Sequence, residues 1–213
     1  MVPISLTCNI WRKQVAKRPV FQFKITLQGI HPPIWRRIQI SDLCTFWDLH
    51  VAIQDAMGWW DYHLHDFKVI NPITNKKGHM GIDADDDFDI LNTLPGWDFK
   101  VRDYISANEK MIYSYDYGDG WKHMVEFEGE HSKLKQSRDY PICVDGERAC
   151  PPEDVGGVPG YENFIIAIND PNHEEHDKFL QWVGGKYDPN KFSPKKVKFD
   201  NPRKRWFKAF TLV

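Results

Sequence analysis

The feature that most constrains the fold is a stretch of alternating residues between Tyr113 and Phe127. Its middle reads Gly118-Asp119-Gly120, and an Asp-Gly pair between two alternating runs is a strong signal for an antiparallel hairpin. The chain is therefore predicted to contain an antiparallel sheet, with this hairpin as the element around which neighbouring strands and loops are arranged.

The position of the turn decides which side chains of the hairpin face each other. A turn at Asp119-Gly120 would place Asp116 opposite His123, and directly paired residues point to the same face. Such a carboxylate–imidazole pair suits proton transfer or metal binding, and it equally suits a surface ion pair. A turn one residue earlier would place Asp116 opposite Trp121 instead.

The other segments predict an α+β fold with a mostly antiparallel or mixed sheet and helices packed on it. Thr45 and Asp48 form a capping box at the start of a helix that ends near Gly58. The order of strand pair, helix and further strands indicates a β-grasp-like N-terminal part. The other predicted elements are, in chain order, strands at 20–27 and 34–40, a turn and strand within 59–70, a strand at 97–104, a loop at 129–137, a helix over Tyr161–Ile168 and a helix beginning at Asn172.

No flexible linker divides the chain, so one domain is predicted over 18–213, with lobes at about 18–105 and 106–213. Residues 1–17 lack periodicity and predict a basic N-terminal arm.

A net charge of -2 argues against attraction of the whole molecule to nucleic acid or to an anionic membrane. Four cysteines do not make a disulfide framework in a chain this long. Without a signal-peptide core or a membrane-spanning run, a cytoplasmic protein with no membrane partner is expected.

Residues 140–160 combine many Gly and Pro residues with charged side chains, which predicts a long irregular loop. Long loops in compact domains are usually functional, so Arg148, Glu153 and Asp154 are candidates for ligand contact. The alternative is a structural loop whose charges pair with one another. Together with the hairpin, the loop predicts a functional cluster of Asp116, Asp119, Trp121, His123, Arg148, Glu153 and Asp154.

A divalent metal is the one cofactor that the residue pattern suggests. His63 and His65 would share one face of a strand, as some metal sites require, although apolar neighbours on that face are typical of a core. Cys143 and Cys150 lie further apart than the usual zinc knuckle allows, and two free thiols are the commoner outcome. His50, beside the apolar stripe of the predicted helix, is interpreted as a core histidine.

Two charged segments allow alternative interpretations. The tail from Lys191 to Lys208 holds eight Lys or Arg residues and one acid, interleaved with aromatic residues. Basic plus aromatic composition suits single-stranded nucleic acid. A C-terminal strand that packs its aromatic side chains and solvates its lysines is the favoured alternative. The acidic run from Asp83 to Asp89 predicts a solvated entry to a short helix.

Several motifs, taken together, resemble the plasmid pRiA4b ORF-three-like family, some of whose members are labelled as insertion-element passenger, TnpR-like proteins. The resemblance covers about Pro19 to Phe199. It implies a single α+β domain of plasmids, mobile elements and prokaryotic chromosomes, with no established activity and no catalytic residues to transfer. The motifs are Trp35-Arg36-Arg37, Gly58-Trp59, His63-Leu64-His65-Asp66-Phe67, Tyr115-Asp116-Tyr117-Gly118-Asp119-Gly120-Trp121-Lys122-His123 and Cys150-Pro151-Pro152-Glu153-Asp154-Val155-Gly156-Gly157.

Two functions follow as hypotheses. The first is a non-enzymatic binding or accessory module, associated with plasmids or mobile elements, whose aromatic and acidic groove takes a protein, peptide or nucleic-acid partner. The second is a metal-dependent hydrolase or nuclease acting through Asp116, Asp119 and His123. A catalytic site predicts that these side chains converge in a cleft. A binding module predicts an exposed aromatic patch instead.

Overall fold

The computed structural model describes residues 18–82, 93–107, 109–132 and 140–211. The predicted basic arm at 1–17 and the acidic run from Asp83 to Asp89 lie outside these residues. The strands are β1 Val20–Leu27, β2 Ile34–Ser41, β3 His65–Ile70, β4 Lys77–Gly81, β5 Thr93–Pro95, β6 Lys110–Tyr115, β7 Trp121–His131 and β8 Ile142–Glu147. The helices are α1 Phe46–Met57, α2 Gly157–Asn169, α3 His176–Trp182 and α4 Pro202–Phe210.

The eight strands form one sheet in the order β5-β4-β3-β6-β7-β1-β2-β8. β4 and β5 are parallel and the other neighbours are antiparallel, so the predicted α+β class with a mixed sheet is confirmed. The hairpin β6–β7 lies between β3 and β1, and strands from before and after residue 105 therefore alternate across the sheet. A β-grasp-like N-terminal part stays a prediction.

The first strand pair forms where the alternation of the sequence places it. Phe21, Phe23, Ile25 and Leu27 are buried, because successive side chains of a strand point to opposite faces of the sheet. β1 pairs with β2 in a register that sets Leu27 opposite Ile34. The apolar face of this pair supplies one side of the hydrophobic core.

The predicted capping box at the start of α1 is confirmed. The Thr45 hydroxyl accepts the N–H of Asp48 at 3.1 Å, and the Asp48 carboxylate accepts the N–H of Thr45 at 2.8 Å. Gly58 ends the helix in the left-handed conformation, with φ 91°. This ending turns the chain sharply and leads directly into the aromatic residues of the candidate site.

The predicted C-terminal strand is wrong, because the tail forms helix α4 instead. Asn201 caps its first turn with a side-chain acceptor, and Pro202 occupies an early position that suits proline. Trp206 and Phe210, four residues apart, then fall on one face of the helix and pack on each other, and Phe210 also contacts Trp47 of α1. The aromatic residues are packed as the strand hypothesis proposed, but in helical form.

Other predicted segments also differ from the structure, among them α3, which begins at His176 and not at Asn172. Residues 97–104 form a turn and a short 3₁₀ segment over Val101–Asp103. The predicted loop at 129–137 begins as strand, since β7 continues to His131 and pairs with β1. Part of the irregular loop at 140–160 is strand β8, which completes the edge of β2 by antiparallel pairing. For β7 and β8 a distant strand decides the conformation, which a local pattern does not reveal.

The described helices include none with the length and apolar character needed to cross a lipid bilayer.

Candidate functional site

The hairpin turn has neither of the two predicted registers. Tyr115 pairs with Trp121, so five residues, 116–120, connect the strands instead of two. The cause is Asp116, whose carboxylate oxygen Oδ1 accepts the N–H groups of Gly118 at 2.9 Å and Asp119 at 3.2 Å. Such side-chain acceptors build wider turns than an Asp-Gly pair does by itself.

The observed register separates Asp116 from His123, so the predicted pair does not form. His123 lies opposite Tyr113, is fully buried and packs edge-to-face on Trp59 at 5.3 Å between ring centroids. Burial lowers the pKa of His123 to about 3, so the ring stays neutral in the core. Trp121 is also a core residue, with 2% of its surface exposed.

Asp116 has a different imidazole as its neighbour. Nε2 of His63 lies 2.9 Å from Oδ1 of Asp154 and 3.6 Å from Oδ2 of Asp116. These three residues, called the His63 cluster below, come from the segment before β3, from the hairpin turn and from the loop before α2. Asp116 and Asp154 both have positive φ angles, 52° and 58°, in a conformation that non-glycine residues seldom adopt outside constrained sites.

Glu153 fixes the segment that carries His63 to the neighbouring loop. Its Oε2 accepts the N–H of Trp60 at 2.9 Å, and its Oε1 accepts the hydroxyl of Tyr115. That hydroxyl also accepts the N–H of Tyr62 at 3.1 Å. Burial raises the pKa of Glu153 and, together with the bond to Glu153, that of Tyr115, which therefore stays a phenol.

Asp119 joins the hairpin turn to the start of α2. Its Oδ2 accepts the N–H of Gly156 at 3.0 Å. At Gly157, with φ 67°, a Cβ would lie 2.3 Å from the carbonyl oxygen of Asp119, so no other residue fits this contact. The structure thus brings Asp116, Asp119, Glu153 and Asp154 together, and their functional role stays a prediction.

Arg148 does not belong to this group. Its guanidinium donates to the carbonyl of Pro32, in the loop between β1 and β2, and the next residue, Ala149, donates to the carbonyl of Pro189 at 3.0 Å. These bonds hold three loops together at the end of β8. Arg148 therefore makes a structural contact with a backbone carbonyl, and not with a carboxylate of its own loop as the structural alternative proposed.

The two histidines of the His-x-His motif point into different surroundings. β3 begins only at His65, and His63 precedes it in an irregular segment. His65 is buried and stacks on His50, with ring centroids 3.4 Å apart. His50 in turn contacts Asp61 and the hydroxyl of Tyr113, each at 2.8 Å, which confirms it as a core histidine with partners on both nitrogens.

The remaining metal candidates, Cys143 and Cys150, do not join a ligand group within the described ranges. Both thiols lie near the buried Arg36, whose charge favours the thiolates. Burial outweighs this effect and raises the pKa of Cys143 to about 11 and that of Cys150 to about 12. Both therefore stay protonated thiols at neutral pH.

An aromatic pair beside the His63 cluster was missed by the sequence interpretation. The rings of Trp60 and Tyr62 are 10° from parallel, with centroids 6.4 Å apart, and 71% and 72% of these residues' surfaces are exposed. The sequence signal is the run Trp59-Trp60-x-Tyr62 directly after a helix-ending glycine. Tyr and Trp are enriched at binding surfaces, because their rings combine a large apolar area with a polar group.

The aromatic pair lines two clefts that differ in charge. The first, of about 700 Å³, lies against α4 and the segment before it, and its charged lining residues are the cations Lys198, Lys204, Arg205 and Lys208 and the carboxylates Asp55, Asp61 and Asp200. It is called the basic cleft below. The second, of about 440 Å³, has Glu153 and Asp154 in its wall and is called the acidic cleft.

The three lysines of the basic cleft form no ion pair with the carboxylates of the described segments. Arg205, in the same cleft, is instead bound by Asp55 at 2.6 Å and Asp200 at 2.5 Å, with Asp61 at 3.6 Å. These ion pairs join α4 to α1, whereas the three lysines have no carboxylate partner among the described residues.

Fold and site together define an α+β domain with one mixed sheet, in which the segment between α1 and β3 carries an aromatic pair that lines both a basic and an acidic cleft. The chain belongs to the family described as plasmid pRiA4b ORF-3-like protein, whose model matches residues 19–196. It is 32% identical over 165 residues to the uncharacterized protein y4hQ of Sinorhizobium fredii (strain NBRC 101917 / NGR234), covering 78% of this chain and 81% of that protein. It is also similar to the crystal structure of MM3350, a protein of unknown function from Methanosarcina mazei Go1, with a TM-score of 0.78, 40% identity and coverage of 85% and 99% of the two chains.

Proposed function

We propose that the protein is a non-enzymatic binding module for single-stranded nucleic acid, associated with plasmids or mobile elements, and that its ligand occupies the basic cleft. The observation that carries this proposal is the exposed, nearly parallel Trp60–Tyr62 pair, which lines the same cleft as three lysines without a carboxylate partner among the described residues. Bases stack on aromatic rings while lysines neutralise the backbone phosphates, and this combination is the general means of binding single strands.

Charge complementarity favours nucleic acid over a peptide in this cleft. Lys204 and Lys208 lie four residues apart on α4 and Lys198 precedes that helix, and all three line the cleft beside the aromatic pair, where they can meet backbone phosphates. The net charge of -2 argues against attraction of the whole molecule to nucleic acid, so the proposal places the ligand in the cleft.

The proposal is tested by fluorescence anisotropy, in which the full-length protein is titrated into a short labelled oligothymidine. Three phosphate contacts predict that the logarithm of the association constant falls with the logarithm of salt concentration with a slope of about -2. Replacement of Trp60 by Ala is expected to weaken binding by about fivefold or more, the equivalent of one lost base stack. A duplex of the same length should bind more weakly, since its bases are not free to stack on the rings.

Matched variants separate the cleft from general charge effects. The triple variant K198Q/K204Q/K208Q should lose most of the salt dependence, while K68Q/K77Q/K122Q removes three exposed lysines elsewhere and should bind as the parent does. The control for Trp60→Ala is Ile73→Ala, which changes a residue that is 93% exposed and is not part of the cleft lining. Binding that responds equally to both lysine triples, or that favours an acidic or basic peptide over the oligonucleotide, would refute the proposal.

The alternative of a metal-dependent hydrolase or nuclease acting through Asp116, Asp119 and His123 receives less support. His123 is buried in the core, and the Asp119 carboxylate is engaged by the N–H of Gly156. Only Asp116 retains a carboxylate oxygen that faces a histidine near solvent, His63. Hydrolysis through those three residues would require a rearranged core, whereas binding in the basic cleft requires no change of fold.

A further inference from the structure

We propose that His63, Asp116 and Asp154 form a binding site for a divalent first-row transition-metal ion, such as Mn²⁺ or Zn²⁺. One imidazole nitrogen and two carboxylate oxygens lie within 4.8 Å of one another. Ligand atoms about 2.0–2.2 Å from a common ion are about 3–4 Å apart, so small side-chain movements bring the three atoms to coordination distance.

The chemistry of the ligand atoms selects the class of ion. Imidazole nitrogen suits Zn²⁺ and Fe²⁺, and carboxylate oxygen suits Mn²⁺ and Mg²⁺. A set of one nitrogen and two oxygens on a partly open surface therefore favours a transition metal that accepts both donors and keeps positions for water. Calcium is less suitable, because it takes six to eight oxygen ligands.

The surroundings orient Asp116 as a ligand. Its Oδ1 is held by the N–H groups of Gly118 and Asp119, which leaves Oδ2 as the atom that faces His63. Outer hydrogen bonds of this kind fix the direction of metal-bound carboxylates. The side chain of Asp116 is only 10% exposed, so the protein fixes the orientation of this carboxylate before an ion binds.

The charge balance of the site also calls for a cation. Asp116, Glu153 and Asp154 gather around one imidazole, and within the described segments no Lys or Arg lies within ion-pair distance of any of them. A single N–H on Nε2 of His63 serves one carboxylate at a time, and it lies closer to Asp154 than to Asp116. A metal ion at this position would serve both carboxylates and the imidazole nitrogen together.

An entry path is open on one side. Asp154 lines the acidic cleft and its side chain is 64% exposed. Metal exchange with solvent therefore needs no opening of the core. The other histidine–carboxylate group, His50, Asp61 and His65, is closed by burial, and His50 already uses both ring nitrogens.

The test is calorimetric titration of the metal-stripped full chain with Mn²⁺ and with Zn²⁺, and the spin-resonance signal of bound Mn²⁺ gives a second readout. One equivalent is expected to bind. His63→Gln and Asp154→Asn should each weaken binding by about tenfold or more, since loss of even an outer-shell partner costs 10- to 100-fold.

Control variants keep the result interpretable. His173→Gln and Asp188→Asn change another histidine and an exposed aspartate outside the site and should bind metal as the parent does. Asp154 is largely exposed, so its variant tests the site without threatening the fold. The absence of stoichiometric binding, parent-like affinity in both site variants, or loss of binding only in Asp61→Asn would overturn the assignment. The basic cleft uses other residues, so nucleic-acid binding can succeed or fail separately.

Discussion

The imidazole rings of His50 and His65 lie face to face, with centroids 3.4 Å apart and planes 5° from parallel. Two charged rings could not remain in this contact inside the core. Burial, and to a smaller extent the charge of His50, lowers the pKa of His65 well below its ordinary value. His123, on the neighbouring hairpin, is held neutral in the same way.

These buried histidines predict a loss of stability in acid. The folded state binds fewer protons than the unfolded state once the pH falls below about 6.5, the ordinary histidine pKa, so the free energy of unfolding decreases from there downward. With a folded pKa of about 3, His123 alone should reduce it by about 2 kcal/mol between pH 8 and pH 5. Urea unfolding at a series of pH values measures the effect.

A pair of variants assigns this pH dependence to the core. His123→Gln removes one titrating group. The slope of the unfolding free energy against pH should therefore decrease by the equivalent of about one proton, even where the variant is less stable overall. His31→Gln, at an exposed histidine, should leave the curve unchanged. An equal slope in the parent and in His123→Gln would show that His123 is not held neutral.

The contact between the hairpin turn and α2 predicts a severe effect of Gly157→Ala. The added Cβ would meet the carbonyl oxygen of Asp119 at 2.3 Å, and φ is already positive. The free energy of unfolding should fall by more than the roughly 1–2 kcal/mol that a left-handed conformation costs by itself. Gly184→Ala is the matched control, because its φ is 75° and nothing lies within 4 Å of the added atom. If both variants lose the same stability, the close contact does not constrain the turn.

Local sequence signals predicted the elements whose causes are local. The alternation in β1 and β2 and the capping box of Thr45 and Asp48 depend on residues a few positions apart, and both are present. The tail was misinterpreted as a strand although Asn201 and Pro202 carry the signals of a helix start. Strand β8 was missed because its formation depends on the free edge of β2, about a hundred residues earlier.

The sequence predicts only part of the candidate site, because only some of its contacts come from elements with local signals. Asp116, Asp119, Glu153 and Asp154 do lie together, since the hairpin turn and the loop before α2 are both close to their predicted places. The hairpin register was wrong because one side chain, that of Asp116, replaces a two-residue turn by a five-residue one. That shift places His123 in the core and leaves the site to His63, whose position depends on an irregular segment.

Asp116 is expected to have a structural role that can be separated from metal binding. Asp116→Ala leaves the N–H groups of Gly118 and Asp119 without their acceptor and puts a less tolerant residue at positive φ, so it should cost about 2 kcal/mol of unfolding free energy. Asp116→Asn keeps an acceptor oxygen and tolerates the left-handed conformation, and should cost less than about 1 kcal/mol. Thermal and urea unfolding compare the two. Equal stability of the Ala and Asn variants would contradict this role.

Arg205 is expected to hold α4, and with it the basic cleft, against α1. Its guanidinium is 16% exposed and meets Asp55 at 2.6 Å, and Arg205→Gln would leave this carboxylate, whose side chain is 7% exposed, without a cation. Hydrogen exchange of residues 202–210 should then accelerate by about tenfold or more, because the helix undocks at a lower free-energy cost. Arg203→Gln alters an exposed guanidinium on the same helix and should change exchange by less than about threefold. Oligothymidine binding should weaken in Arg205→Gln alone, since Lys204 and Lys208 line the cleft only while the helix is docked. Unchanged exchange in that variant would show that the packing of Trp206 and Phe210 suffices to hold the helix.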